Sequence, residues 1–219
     1  GNITSHLGNL AGGIETEDSS AVEIGSADEN VPPNLVASNL SFGLKAKGMR
    51  AATLVRNMFI RNQGPGVHLY QSTEMSVIGN GIGLALGADI ADSGNTGDGV
   101  LVEESPGNTI GGTGVETFNK IGKQLQNAAI HYLNTHPGPG VPNGGDVKGN
   151  LLGGRTTAFG GTVARASNKV AVLIENSSSV TVGGLEPEAA NSVVANAGPG
   201  VKLKGAGTRL VSLINNAIG

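Results

Sequence analysis

The chain has neither cysteine nor tryptophan, and aromatic residues make up only 3% of its 219 residues. Without cysteine it can form neither disulfides nor cysteine-ligated metal sites. The apolar interior must therefore be built from valine, isoleucine, leucine and alanine. No stretch of the sequence approaches the roughly 18 consecutive apolar residues that indicate a membrane-spanning helix, so we predict no membrane span.

Charge is also scarce. The 14 basic and 17 acidic residues give a formal net charge of −3, and neither kind is concentrated in one segment. A surface of this kind argues against binding to nucleic acid or to an anionic membrane. The N-terminal residues show no charged and apolar signal segment, so we expect any targeting signal to have been removed or to lie outside this sequence.

Glycine, by contrast, is abundant, with 37 residues in 219, about 17% against a usual share near 7%. It does not recur at every third position, which excludes collagen. A Gly-x-Gly turn precedes a short strand pattern in three clear copies, and apolar residues alternate in each, as expected of strands. The copies are Gly64–Tyr70, Gly97–Val102 and Gly198–Leu203, with a weaker one at Ala129–Tyr132.

A longer internal repeat relates residues 99–121 to residues 171–193, at an offset of 72 residues. The shared positions include Thr109/Thr181 and the Gly-Gly pair that begins at Gly111 and Gly183. We interpret the offset as three coils of about 24 residues. At about 4.8 Å per stacked strand, this predicts roughly nine coils and a rod about 45 Å long.

The repeat phrases resemble those of right-handed parallel β-helix repeat proteins of the pectin-lyase-like superfold, of the bacterial surface or secreted type. The matching text is Asn108–Thr113, Asn119–Ile121, Asn191–Leu203 and Asn80–Gly83. The resemblance implies an all-β, right-handed parallel β-helix over residues 1–219, most regular from 33 to 219, with loops at 84–98 and 135–146. A β-sandwich with glycine-rich turns is the alternative.

Asparagine recurs where the predicted strands turn. In a coil of this kind it can adopt a left-handed corner and hydrogen-bond to the coil above or below. We therefore predict a structural role for these residues rather than ligand binding. They are Asn57, Asn80, Asn119, Asn150, Asn191 and Asn216.

No catalytic, cofactor-binding or metal-binding residue is predicted. Asp89, Asp92 and Asp98 fall in one loop with Asn95, but their spacing does not match a known calcium loop. A solvated polar loop is the favoured interpretation, and cation binding is left open. Glu103 and Glu175 occupy equivalent positions three predicted coils apart, which is too far for a catalytic pair.

Alternation also predicts which side chains face outward. His68, His131 and Lys202 take equivalent positions between inward apolar residues and should reach solvent. Of the two tyrosines, Tyr132 should point inward and Tyr70 outward, where it is a candidate platform for a sugar ring.

The fold alone does not determine activity, because lyases, hydrolases, epimerases, adhesins and fibre proteins share it. Since neither end of the sequence shows a cap, the leading hypothesis is an extracellular or cell-surface stalk, fibre or filament subunit that stacks end to end or continues into a longer chain. The alternatives are a carbohydrate-active or carbohydrate-binding β-helix with a polysaccharide partner, and a phage tailspike or adhesin module.

Overall fold

The structure is a computed structural model that describes residues 8–84, 93–114, 116–124, 126–141, 143–154 and 167–219. In this part of the chain 21 strands form three parallel sheets of seven strands each. Each strand pairs with the strand three places along the chain, so three successive strands make one coil. The protein is a right-handed parallel β-helix. Among the described residues, no α-helix is long and apolar enough to cross a membrane.

Sheet 1 contains β1 (Ile14–Glu17), β4 (Leu44–Lys47), β7 (Val67–Tyr70), β10 (Val100–Glu103), β13 (Ala128–Leu133), β16 (Val170–Glu175) and β19 (Val201–Lys204). Sheet 2 contains β2 (Glu23–Gly25), β5 (Thr53–Val55), β8 (Ser76–Ile78), β11 (Asn108–Gly111), β14 (Gly145–Lys148), β17 (Val180–Gly183) and β20 (Ser212–Ile214). Sheet 3 contains β3 (Leu35–Ala37), β6 (Met58–Ile60), β9 (Gly81–Ile82), β12 (Lys120–Ile121), β15 (Leu151–Gly153), β18 (Ser192–Val194) and β21 (Ala217–Ile218).

The core is a set of stacked apolar rows inside the coil. On sheet 1 the row of Val67, Val100, Ile130 and Val172 is in register from strand to strand, and all four side chains are fully buried. Burying such a side chain contributes about 1.5–3 kcal/mol. Tyr132 lies in the same interior, as the alternation predicted.

The strands of the described residues form seven coils, so the predicted count of nine is wrong. The error comes from coil length, because the connections between strands vary in length and equivalent residues of successive coils lie between 23 and 44 positions apart. Val100 pairs with Ile130, which pairs with Val172, so the 72-residue repeat spans two coils and not three. Seven coils give a rod roughly 34 Å long.

The recurrent asparagines form a column at the corner between sheets 2 and 3, and the column is buried from Asn57 to Asn191. The side-chain oxygen of Asn80 accepts hydrogen bonds from the backbone and side-chain nitrogens of Asn57, and its amide donates to the oxygen of Asn119. The predicted structural role is confirmed, but the left-handed residue is the one before, such as Arg56 (φ 52°) or Gly79 (φ 65°). Members of the column are Asn34, Asn57, Asn80, Asn119, Asn150, Asn191 and Asn216.

The Gly-Gly corner has a direct steric cause. Gly111 and Gly183 both have a backbone φ of 89°. Residues other than glycine rarely adopt this conformation. A Cβ atom at Gly183 would lie 1.8 Å from the carbonyl oxygen of Ile214 in the next coil. The repeated glycine therefore allows close stacking of coils.

The two predicted loops differ in how much of them is described. Residues 85–92 lie outside the described residues, whereas Asn95 is buried in a second amide column, where it accepts from Asn62. The loop predicted at 135–146 is shorter than expected, because β14 begins at Gly145. Within it Gly138 and Val141 form an antiparallel bridge.

Candidate functional site

The outward face of sheet 1 carries two parallel rows of side chains, which we call the sheet 1 strip. Its first row is Glu15, Lys45, His68, Leu101, His131, Leu173 and Lys202, and its second is Glu17, Lys47, Tyr70, Glu103, Leu133, Glu175 and Lys204. Neighbours within a row are about 4.8 Å apart at the backbone. The predicted outward orientation of His68, His131 and Lys202 is confirmed.

His68 and Glu103 form the central contact of the strip. Nε2 of His68 lies 2.9 Å from Oε2 of Glu103, and the two side chains are only 16% and 28% exposed. The ring of Tyr70 lies beside His68, with 6.0 Å between the ring centroids. Nζ of Lys45 lies 5.9 Å from the centroid of the Tyr70 ring. A base, a carboxylate, a phenol and an ammonium group thus meet on one face.

Burial lowers the pKa of His68 below its ordinary value, and the hydrogen bond to Glu103 only partly opposes this effect. The imidazole is therefore neutral at neutral pH. An ionised carboxylate only accepts hydrogen bonds. Nε2 of His68 therefore carries the ring proton and donates a hydrogen bond to Glu103. Nδ1 is left with the lone pair and is able to accept a proton.

A second histidine lies between two carboxylates. Nδ1 of His131 is 3.1 Å from Oδ2 of Asp98, whose other oxygen accepts from the backbone nitrogen of Ala128. On its other side, Nε2 of His131 is buried without a hydrogen bond, 3.8 Å from Oε2 of Glu175. Asp98 thus fixes the orientation of the His131 ring within the strip.

Glu103 and Glu175 have separate partners in the structure. They lie two coils apart, with Leu133 between them, and not three coils apart as predicted. Glu175 instead pairs with Lys204, whose Nζ lies 2.7 Å away and lowers the pKa of the carboxyl. Two coils correspond to about 10 Å, which is closer than predicted, so the expectation that the two glutamates form no catalytic pair stays a prediction.

Metal binding finds no support among the described residues, where no group of three His, Asp or Glu side chains is placed to hold an ion. Of the aspartate loop, Asp89 and Asp92 lie outside the described residues. The carboxylate of Asp98 is bound to Ala128 and His131, and the Asn95 amide is in its column. Asn95 is buried and the Asp98 side chain is only 14% exposed, so this part of the loop is packed and not solvated as predicted.

The histidine–carboxylate pairs were missed from the sequence. Their signal was present, because the Gly-x-Gly phrases align Tyr70 with Glu103 and so put His68 and Glu103 on neighbouring strands. Tyr70 is outward, as predicted. Phe118, which was not singled out, is the most exposed aromatic side chain among the described residues, at 36%.

No protein-family model matches the chain, and no curated protein matches it by sequence. Among solved structures, the Azotobacter vinelandii mannuronan C-5 epimerase AlgE6 A-module has a similar fold, with a TM-score of 0.55 and 13% sequence identity. The likeness covers 96% of this chain and 55% of that one. This chain thus spans about half the length of a module that shares its parallel β-helix.

Proposed function

We propose that the protein is a carbohydrate-active β-helix that binds an acidic polysaccharide along the sheet 1 strip, with His68 as the proton-accepting group. The observation that carries this proposal is the contact of His68 with Glu103 beside Tyr70 and Lys45. The fold it shares with a mannuronan C-5 epimerase module supports the substrate class. Such polymers are extracellular, and so is the proposed place of action.

The chemistry follows from the groups present. Nδ1 of His68 takes the proton from the sugar carbon next to the carboxylate, and the electron pair of the broken C–H bond spreads into that carboxylate. Lys45 stabilises the charge that builds up there. Return of a proton from water on the opposite face gives the epimer, whereas departure of the neighbouring glycosidic oxygen, which takes a proton from water, gives an unsaturated sugar and a cleaved chain.

Both outcomes are tested in one reaction. The protein is incubated with polymannuronate or polygalacturonate in D₂O, and NMR follows deuterium entry at the carbon next to the carboxylate. Ultraviolet absorbance follows the unsaturated product. We expect deuterium exchange or unsaturated product with at least one polymer, and a rate that is about 10²–10⁴-fold lower in His68→Gln.

A matched control is His136→Gln, because His136 lies outside the strip, with Nδ1 2.9 Å from the Ser178 hydroxyl oxygen. This variant should keep full activity. Absence of both deuterium exchange and unsaturated product with every polyuronate, or equal activity in His68→Gln, contradicts the proposed function.

A second candidate function is that of a stalk or filament subunit. It is favoured by the seventh coil, whose strands β19, β20 and β21 each pair with one strand only. Leu203, Leu213 and Ile218 are exposed there, each by 50% or more. A further coil, from the same chain or from a second copy, would cover these side chains.

The filament candidate is tested by sedimentation velocity over a range of concentrations, with electron microscopy of the same samples. Stacking predicts rods that grow with concentration and that disappear in a Leu203→Lys/Leu213→Lys variant. A sample that stays monomeric throughout contradicts stacking but leaves the carbohydrate proposal standing, because the two functions use different surfaces.

A further inference from the structure

A separate cavity of about 160 Å³ opens at the corner between sheets 2 and 3. It is lined by Arg56, Gly79, Glu116, Phe118 and Lys120, none of which belongs to sheet 1. We call it the corner pocket. It combines two cations, one carboxylate and an exposed aromatic ring.

The amide column explains why the pocket forms. Arg56, Gly79 and Phe118 are the residues immediately before Asn57, Asn80 and Asn119, so they stack at the same corner on three successive coils. Gly79 has no side chain, and the space beside its Cα is narrow, because an added Cβ would lie 2.7 Å from the backbone oxygen of Glu116 and 3.2 Å from Cγ of Arg56. The pocket is thus a narrow notch that Arg56 and Glu116 border at Gly79.

The walls of the notch are held in place. The guanidinium group of Arg56 donates to the backbone carbonyl oxygens of Asp28 and Glu29, in the connection between β2 and β3. These two bonds leave further N–H groups of its five for a ligand. Nζ of Lys120 lies 5.3 Å from the centroid of the Phe118 ring, a cation–π contact that fixes both side chains.

We propose that the corner pocket binds a single uronate residue, that is, one sugar ring carrying a carboxylate. The carboxylate pairs with Arg56 and Lys120, since a guanidinium group binds carboxylates well. The exposed part of the Phe118 ring packs against the apolar C–H face of the sugar, and Glu116 accepts a hydrogen bond from a hydroxyl group. The volume suits one sugar ring rather than a length of polymer.

This site does not depend on the chemistry proposed for His68. A neutral sugar lacks the charge that Arg56 and Lys120 bind, and a small carboxylate lacks the ring that contacts Phe118. The pocket thus predicts selectivity over both glucose and acetate.

The test is a titration of the purified protein, followed by protein NMR or calorimetry, with glucuronate, glucose and acetate as separate probes. We expect glucuronate to bind at least ten-fold more tightly than either of the others. Arg56→Gln and Phe118→Leu should each weaken it at least ten-fold. Arg50→Gln is the matched control, because Arg50 is a surface arginine paired with Glu74. This variant should bind glucuronate as tightly as the unchanged protein.

Three outcomes overturn the proposal: no binding of glucuronate, equal binding of acetate or glucose, or unchanged binding in both pocket variants. The His68→Gln variant separates this site from the strip. Glucuronate binding that is lost in His68→Gln but kept in Arg56→Gln assigns the monosaccharide to the strip and also overturns the proposal. Thermal unfolding of each variant confirms that the fold is retained.

Discussion

Nε2 of His68 lies 2.9 Å from Oε2 of Glu103, although 35 positions separate the two residues in the chain. They meet because β7 and β10 are neighbours in sheet 1, with Tyr70 in register with Glu103. The register of the coil thus sets both the orientation and the protonation of the proposed base.

The first prediction concerns the pH profile of Glu103→Gln. Glu103 raises the pKa of His68 against the stronger effect of burial, and glutamine keeps a hydrogen-bonding oxygen but not the charge. The pKa of His68 should therefore fall further, and the acidic limb of activity should move to lower pH. NMR titration of the His68 ring and the rate profile should shift together; a shift to higher pH would contradict this account.

Breaking the amide column should be costly. Asn80→Ala removes the acceptor for two nitrogens of Asn57 and the donor to Leu54, Ile78 and Asn119. Buried groups left without partners cost about 1–3 kcal/mol each, so we expect a loss of at least about 3 kcal/mol in the free energy of unfolding.

Denaturant unfolding measures this loss. Asn30→Ala is the control, because Asn30 is exposed and its amide binds only the nearby Asp28 carboxylate, and it should change stability by no more than about 0.5 kcal/mol. Equal effects of the two substitutions would show that the column contributes little.

The Gly-Gly corner gives a third prediction. Gly183→Ala combines an unfavourable φ of 89° with a Cβ 1.8 Å from the Ile214 oxygen, so the coils must separate locally. We expect a loss of more than about 3 kcal/mol in the free energy of unfolding. Gly138→Ala should be neutral, since no atom lies within 4 Å of its added Cβ, and a tolerated Gly183→Ala would refute the steric explanation.

Tyr132→Phe should leave stability unchanged or raise it by up to about 1 kcal/mol. The Tyr132 hydroxyl is fully buried and has no hydrogen-bond partner, and removing an unpaired polar group costs nothing in packing. Burial raises the pKa of this phenol far above its ordinary value, so it remains protonated. Thermal unfolding checks the result, and a clear loss of stability would reveal a partner for the hydroxyl.

Much of the coil could be predicted from the sequence because its signals are local. Alternation within strands of three to six residues placed Tyr132 inside and His68 outside, and the recurrent asparagines indicated the column. The number of coils could not be predicted, because the length of a coil, strands and connections together, varies from 23 to 44 residues.

The candidate sites depend on register across coils, which no local pattern reveals. His131 meets Asp98 from 33 positions away, and the corner pocket requires knowing that Arg56, Gly79 and Phe118 stack. Once the asparagine column is recognised, the residue before each asparagine can be read as one vertical row. That signal was available in the sequence, but it can be read only after the asparagine column has been recognised.

The amide columns also give the coil a direction along its axis. Each side-chain oxygen accepts from the coil before it, as Asn80 does from Asn57 and Asn119 from Asn80, so the sequence of donors and acceptors runs in one direction only. Two coils placed face to face in opposite senses would oppose like groups. Any assembly that extends these columns is therefore directional, with amide donors at one end and amide acceptors at the other.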